Sequence, residues 1–239
     1  MNTIEDQITK TPEGWWVLKH DTHLSRWVEQ GRRLDHDTPV LEKIRPYIVP
    51  GSWVCDLGAA IGDHTLFYLN AVGPEGTVVA FEPHPVQFEC LKRNCPGALC
   101  LPYAVGETEG QSMLFHQPGP VAGSHLIDPA LQWPGSIVRQ ITLDKNCVFS
   151  GHVSFMKIDI EGCEPAALRG ARRTIARNQP VIWMEINPIA LARQGYSSQE
   201  LRLVLEEDLL YRVAEFYPEG GSWNGFEGAQ CDALCLPAT

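Results

Sequence analysis

The chain has 239 residues, the length of one α/β domain with an N-terminal extension, and its 29 acidic against 19 basic residues give a formal net charge of −10. That balance argues against a broad interface with a phosphate backbone, which needs cationic neutralisation. No apolar run approaches the length of a membrane span, and the polar, acidic start Met1-Asn-Thr-Ile-Glu-Asp-Gln does not read as a signal peptide.

Residues 1–50 read as an extension and as a possible cover for a substrate. Trp15 to Lys19 is expected as a short strand, and Thr38 to Tyr47 as a helix stopped by Pro50 and Gly51. A polar stretch between them holds His20, Asp21, His23, His36 and Asp37. Residues 51–239 then alternate strand and helix, the pattern of a doubly wound parallel sheet. Strand 52–57 leads to helix 63–72, the turn Gly73-Pro-Glu-Gly76, strand 77–81, a helix opened by Pro85 and running to Asn94, and strand 98–102.

The alternation stops at an insertion, 106–152, with strands expected at Ser112 to His116 and Ile137 to Leu143. The Gly- and Pro-rich segment 117–129 between them is too long for a mere connector. Parallel order resumes with Ser154 to Ile158, a helix from Glu164 to Arg177, and Val181 to Ile186. A helix near 198–207 and two closing strands, Tyr211 to Phe216 and Ala233 to Leu236, complete the domain; the last two suit a hairpin at the sheet edge.

Eight cysteines show no two-residue gap of the zinc-knuckle kind: Cys90, Cys95 and Cys100 recur every five residues, and Cys231 and Cys235 lie four apart. Cys55, Cys100 and Cys235 sit in apolar runs, so reduced thiols in a cytoplasmic protein are expected. Arg169, Arg172, Arg173 and Arg177, at helical spacing, read as a solvated face.

The chemistry is concentrated in Trp53-Val-Cys-Asp-Leu-Gly-Ala-Ala-Ile-Gly-Asp-His-Thr65. A strand carrying Asp56 turns through Gly58 and Gly62 into a helix; Gly58 permits a tight turn and Gly62 a close approach of ligand to the helix N-terminus. The next strand ends in Glu82, about twenty residues on, where an acid accepts from ribose hydroxyls. The dinucleotide glycine pattern fails, because its third and sixth positions are Ala60 and Asp63. S-adenosylmethionine, which has no pyrophosphate, asks instead for glycines beside its methionine part and an acid such as Asp56 for its ammonium group.

The chain resembles the FkbM family of S-adenosylmethionine-dependent methyltransferases. The resemblance rests on Val54 to Thr65, Val79-Ala-Phe-Glu-Pro-His-Pro85 and Met156-Lys-Ile-Asp-Ile-Glu-Gly-Cys-Glu164, supported by Tyr103 to Gly106, Thr142-Leu-Asp144 and Trp183-Met-Glu-Ile-Asn-Pro188. It covers roughly residues 40–190. One departure is Ala60, where the family's usual Gly-Ala-Asn-Ile-Gly has asparagine; Asp63 is a candidate to make the missing contact. The resemblance implies a Rossmann-like, seven-stranded, mostly parallel sheet with a reversed last strand, and O-methylation of sugar or polyketide hydroxyls. It places Asp56, Gly58, Ala60 and Gly62 at the methionine end of the cofactor, Glu82 at the ribose, and Tyr103 and Ala104 beside the adenine.

Methyl transfer needs an aligned acceptor and removal of its proton. The carbonyl ends of the fourth and fifth strands supply Asp159, Glu161, Glu185 and Asn187 as candidate catalytic residues, with Lys157 facing away or paired with an acid. Two mechanisms stay open. In one, a carboxylate or one of His20, His64 and His125 is the base. In the other, Asp159, Glu185 and Asn187 hold Mg²⁺. Structural alternatives are that Glu161 caps the following helix, that Glu185 pairs with Lys157, and that His64 and His84 cap or pack, although His84 also suits the adenosine edge. Trp133, Trp223 and Phe226 are candidates to stack on an acceptor or to anchor their loops. The acceptor is expected to be a small molecule or glycan hydroxyl, not nucleic acid or membrane. A nicotinamide oxidoreductase and a non-catalytic cofactor-binding fold are the rival readings.

Overall fold

The computed structural model describes residues 3–31, 38–116, 123–127, 135–226 and 229–238, with the backbone alone at 38 and 39. His36, Asp37, Trp133 and most of the segment 117–129 lie outside the described residues.

The extension begins with a capped helical turn, α1 (Ile4–Gln7), and a two-stranded antiparallel ribbon, β1 (Ile8–Lys10) and β2 (Trp16–Leu18). A short helix, α2 (Leu24–Glu29), was not expected; its first turn is held by Asp21, which accepts from the Ser25 N–H at 2.7 Å. The expected helix at 38–47 is α3 (Thr38–Ile44) tightened into a 3₁₀ turn at Arg45–Tyr47, since Pro46 has no N–H to continue an α-helix.

The core alternates as expected: β3 (Trp53–Leu57), α4 (Asp63–Val72), β4 (Thr77–Phe81), α5 (Pro85–Asn94) and β5 (Leu99–Leu101). Pro102 ends β5, and the chain crosses into a separate four-stranded sheet made of β6 (Tyr103–Val105), β7 (Gly110–Phe115), β8 (His125–Ile127) and β9 (Gly135–Ile141). The insertion is therefore a sheet in the order β6-β9-β7-β8, and the strand expected at 98–102 is shorter because Tyr103 already belongs to it.

After a helical turn, α6 (Leu143–Asn146), β10 (Val153–Ile158) returns to the main sheet. The single helix expected at 164–177 is two, α7 (Glu164–Gly170) and α8 (Arg172–Asn178). Asp144 explains the break: its carboxylate accepts from the N–H groups of Arg173 and Thr174, both at 2.8 Å, and so caps α8 from outside. β11 (Val181–Ile186) is followed by an unexpected helix, α9 (Pro188–Arg193), with Pro188 at its first position and the Asn187 side chain as N-cap. Then come α10 (Ser198–Leu203), which runs into a π-helical turn, Val204–Asp208, and the strands β12 (Tyr211–Tyr217) and β13 (Cys231–Pro237).

The main sheet has seven strands in the order β12-β13-β11-β10-β3-β4-β5. β3, β4, β5, β10 and β11 are parallel, and β13 runs antiparallel between β11 and β12, giving the reversed last strand. Strand residues alternate between two cores. Cys55, Leu57, Met156 and Met184 pack beneath α7, α8 and α10, while Val54, Phe155 and Trp183 pack against α3 and α4. Both faces are apolar, as a parallel sheet covered on both sides requires. The β1–β2 ribbon rests on α5, where Asn94 bonds the Trp16 and Ile61 carbonyls at 2.9 and 2.8 Å.

Candidate active site

A cleft of about 590 Å³ opens over the carbonyl ends of β4, β3, β10 and β11. One wall is the β3–α4 loop, expected from the sequence to meet the cofactor. The N–H groups of Gly58 and Ala59 both donate to the Phe81 carbonyl at 3.0 Å, tying the loop to the end of β4. Gly58 has φ +83°, and a Cβ there would stand 1.8 Å from the Asp159 carbonyl oxygen, so the turn admits only glycine.

Glu82 lies in the cleft wall, 5% exposed. Its Oε2 accepts from the Ala60 N–H at 2.8 Å and its Oε1 from the His84 N–H at 2.7 Å. Burial pushes its carboxyl up to about 7 against the pull of those two donors. Each oxygen keeps a further lone pair, so a pair of hydroxyls can be received without undoing either bond. Ala60 adopts a left-handed φ of +48°, a conformation asparagine tolerates better than alanine. Tyr103 and Ala104 line the same wall, with the Arg139 guanidinium 5.2 Å over the Tyr103 ring. They reach it from the second sheet rather than from the main one.

Two residues expected at the cofactor stand behind the cleft. Gly62 faces α5, where a Cβ would meet Cys95 Sγ at 2.6 Å, so this glycine serves helix packing. Asp56 is fully buried on the face of β3 opposite Cys55 and does not line the cleft. It accepts from the Thr65 hydroxyl at 2.6 Å and lies 3.8 Å from Lys157 Nζ, its register partner on β10. Lys157 also donates to the Gly58 carbonyl at 2.8 Å and pairs with Asp159 at 3.2 Å. Burial works against the charged lysine, but Asp159 and Asp56 outweigh it and hold its pKa above the usual value.

At the other end of the cleft stand Asp159, Glu161, Glu185 and Asp232. Asp159 keeps 42% of its side chain exposed. Glu161 has a left-handed φ of +56°, and burial, with the neighbouring Asp159 and Glu164 charges, pushes its carboxyl up to about 8. It does not cap α7, and neither does Glu164, whose Oε1 accepts from the Ile160 and Gly162 N–H groups of the loop ahead of the helix at 3.1 and 3.2 Å. Glu185 does not pair with Lys157. It is 6% exposed, and burial raises its carboxyl well above the ordinary range. Asp232 escaped the sequence reading; the signal was a lone acid inside the apolar run Cys231 to Leu236.

The expected metal ligands do not fit a metal. Asp159 is bound to Lys157, and the Asn187 Oδ1 accepts from the Ala190 N–H at 3.1 Å. Among the described residues no three His, Cys, Asp or Glu side chains are grouped as ligands.

The histidines divide. His20 is exposed outside the cleft, while His64, His84 and His125 line it. His84 Nδ1 accepts from the Gln87 N–H and caps α5; burial lowers its pKa to about 3. Burial also lowers the His125 pKa, and its Nδ1 lies 3.0 Å from the Gly123 carbonyl and 3.4 Å from Arg193. Trp223 and Phe226 pack on the core, Trp223 edge-on to Phe216 at 6.0 Å, and line no part of the cleft. Arg169, Arg172 and Arg173 are paired with Glu200, Asp208 and Asp144. Among the described residues no helix is long and apolar enough to cross a membrane.

Comparison with known proteins agrees with this geometry. Residues 56–213 match the family model for the methyltransferase FkbM domain. Among solved structures, the chain is similar to the methyltransferase FkbM from Methylobacillus flagellatus KT, with a TM-score of 0.51 and 15% identity over 90% of this chain. It spans 62% of the length of that protein. A "putative rRNA-methylase" from Clostridium thermocellum has a TM-score of 0.51 and 11% identity, covering 83% of this chain and 95% of its own. At these identities the structures speak for the fold alone. No curated protein matches the sequence.

Proposed function

Because the chain belongs to the FkbM family of S-adenosylmethionine-dependent methyltransferases, we propose that it methylates a hydroxyl of a small molecule or glycan, with Glu161 as the general base. S-adenosylmethionine, when bound, supplies a methyl group already activated by a sulfonium. The cleft suits it: Glu82 with the Ala60 loop would receive the ribose, Tyr103 and Ala104 the adenine, and the Gly58 turn the methionine part. Asp159 would then orient the acceptor hydroxyl, and Glu161 would take its proton as the oxygen attacks. The observation that carries this reading is Glu161 itself, a cleft carboxyl held on a strained backbone at a proton affinity suited to neutral pH. Free thiols at all eight cysteines support the cytoplasmic setting. The net charge of −10 favours a small acceptor over nucleic acid.

Calorimetric titration with S-adenosylhomocysteine, NAD and NADP is the first test, with micromolar binding of the first alone expected; binding of a nicotinamide cofactor alone would overturn the reading. With an acceptor in hand, Glu161→Gln should lower turnover by about 10²-fold or more while leaving S-adenosylhomocysteine affinity unchanged. Wild-type turnover should rise with pH up to a limb at or below about 8, because the sulfonium charge favours the carboxylate, and the variant should lose that limb. An equal loss of turnover and affinity would move Glu161 to the cofactor.

A further inference from the structure

The N-terminal extension meets the cleft at the β3–α4 loop. Ile61, in the middle of that loop, is fully buried. Its side chain packs with Ile8, Val17, Leu18 and Val28 of the extension and with Val86 and Cys90 of α5. The β3 side chains just before it, Val54, Cys55 and Leu57, belong to two other clusters. A residue of the turn expected to meet the cofactor is thus part of the extension's own core.

Asn94, the last residue of α5, fixes the same joint through its side-chain amide. Its Oδ1 accepts from the Trp16 N–H at 2.8 Å. Its Nδ2 donates to the Trp16 carbonyl at 2.9 Å and to the Ile61 carbonyl at 2.8 Å. The amide nitrogen carries two hydrogens, so one side chain spends both in joining β2 to the loop. Arg93 also lies 4.3 Å over the Trp16 ring and pairs with Glu5, but Glu5 is exposed, and such pairs contribute little.

The loop needs a hold from outside. Ala60 and Gly62, on either side of Ile61, both have left-handed φ, +48° and +96°. For alanine that conformation is strained, and it persists where its surroundings fix it. From one side the Ala60 N–H is held by Glu82 Oε2 at 2.8 Å; from the other, Asn94 holds the next carbonyl along the chain. The same extension sends His23, Leu24 and Trp27 of α2 into the cleft wall with Ala60.

Resting on the S-adenosylmethionine-dependent methyltransferase reading, we propose that Asn94 is a positioning residue for the cofactor. Through Ile61 it ties the Ala60 turn, and with it Glu82, to the N-terminal ribbon, so that ribbon docking and cofactor binding strengthen one another. The coupling is reciprocal: the factor by which a docked ribbon raises cofactor affinity is the factor by which bound cofactor favours the docked ribbon. Loosening the ribbon therefore loosens the cofactor, although neither Asn94 nor Trp16 lines the cleft.

The test is calorimetric titration of the full chain with S-adenosylhomocysteine, beside amide hydrogen exchange with and without that ligand. Asn94→Asp keeps an oxygen for the Trp16 N–H but loses both donors, and should weaken binding about tenfold or more in a chain that circular dichroism shows to be folded. Val17→Ala thins the cluster around Ile61 from the ribbon side; it is the independent variant should the first fail to fold, and should weaken binding about threefold or more. In the wild type, the ligand should slow exchange of the Trp16 and Lys19 amides, both outside the cleft, by about tenfold or more, and in Asn94→Asp it should not. A role confined to holding the fold would leave that ligand response unmoved. Affinity within about twofold of wild type in both variants, or wild-type ribbon exchange indifferent to the ligand, overturns the proposal and leaves the methyltransferase reading standing. Failure of the wild type to bind S-adenosylhomocysteine brings down that reading instead.

Discussion

The two ends of the cleft differ in how their polar atoms are settled. At the Glu82 end, both Glu82 oxygens take a backbone N–H, both loop amides share the Phe81 carbonyl, and Gly58 closes against Asp159. At the Glu185 end, among the described residues, Glu185 has an open oxygen, Glu161 a strained backbone, and acids outnumber cations. The Glu82 loop is thus a fixed frame whose carboxylate oxygens are both bonded.

That contrast can be broken by substitution, most forcefully at the turn. Gly58→Ala places a Cβ against backbone at a left-handed φ, and should lower stability by about 3 kcal/mol or more in urea denaturation. A near-native midpoint would mean that the Glu82 end is not rigid. Glu82→Ala should fold and weaken S-adenosylhomocysteine binding by about 1.5–3 kcal/mol, the range for a lost charged hydrogen bond; unchanged calorimetric affinity would remove Glu82 from the ribose site. The smallest effect is expected at Ala60→Asn, which relieves left-handed strain and should raise stability by about 1 kcal/mol or less, read as a higher denaturation midpoint. A lower midpoint would show that the loop has no room for the amide.

How far the sequence reaches depends on whether neighbours in space are also neighbours in the chain. Gly58, Glu82 and the Lys157 to Glu161 block are each fixed by one strand and its following turn, and they were readable there. Asp56 was expected at the cofactor, but its direction is not legible in the sequence because it depends on register: it lies beside Lys157, 101 positions later, on the same face of the sheet. Spacing alone does not say that Glu161 leaves α7 uncapped, or that Glu164 meets the Ile160 and Gly162 amides of the loop before it. The insertion was readable as two strands but not as a sheet, since β6 pairs with β9 across more than thirty residues. Asp232 comes opposite Glu185 only through the β11–β13 register.

The placement of β13 also bears on how the molecule is made. β11 and β12 share no ladder, and both pair with Cys231–Pro237. Until those residues have been synthesised, two strands carry unpaired edges, the kind of surface that recruits other chains. The same segment brings Asp232, so the sheet and that end of the cleft are completed together. A nascent chain arrested before residue 231 should engage chaperones, because both strand edges wait for that segment.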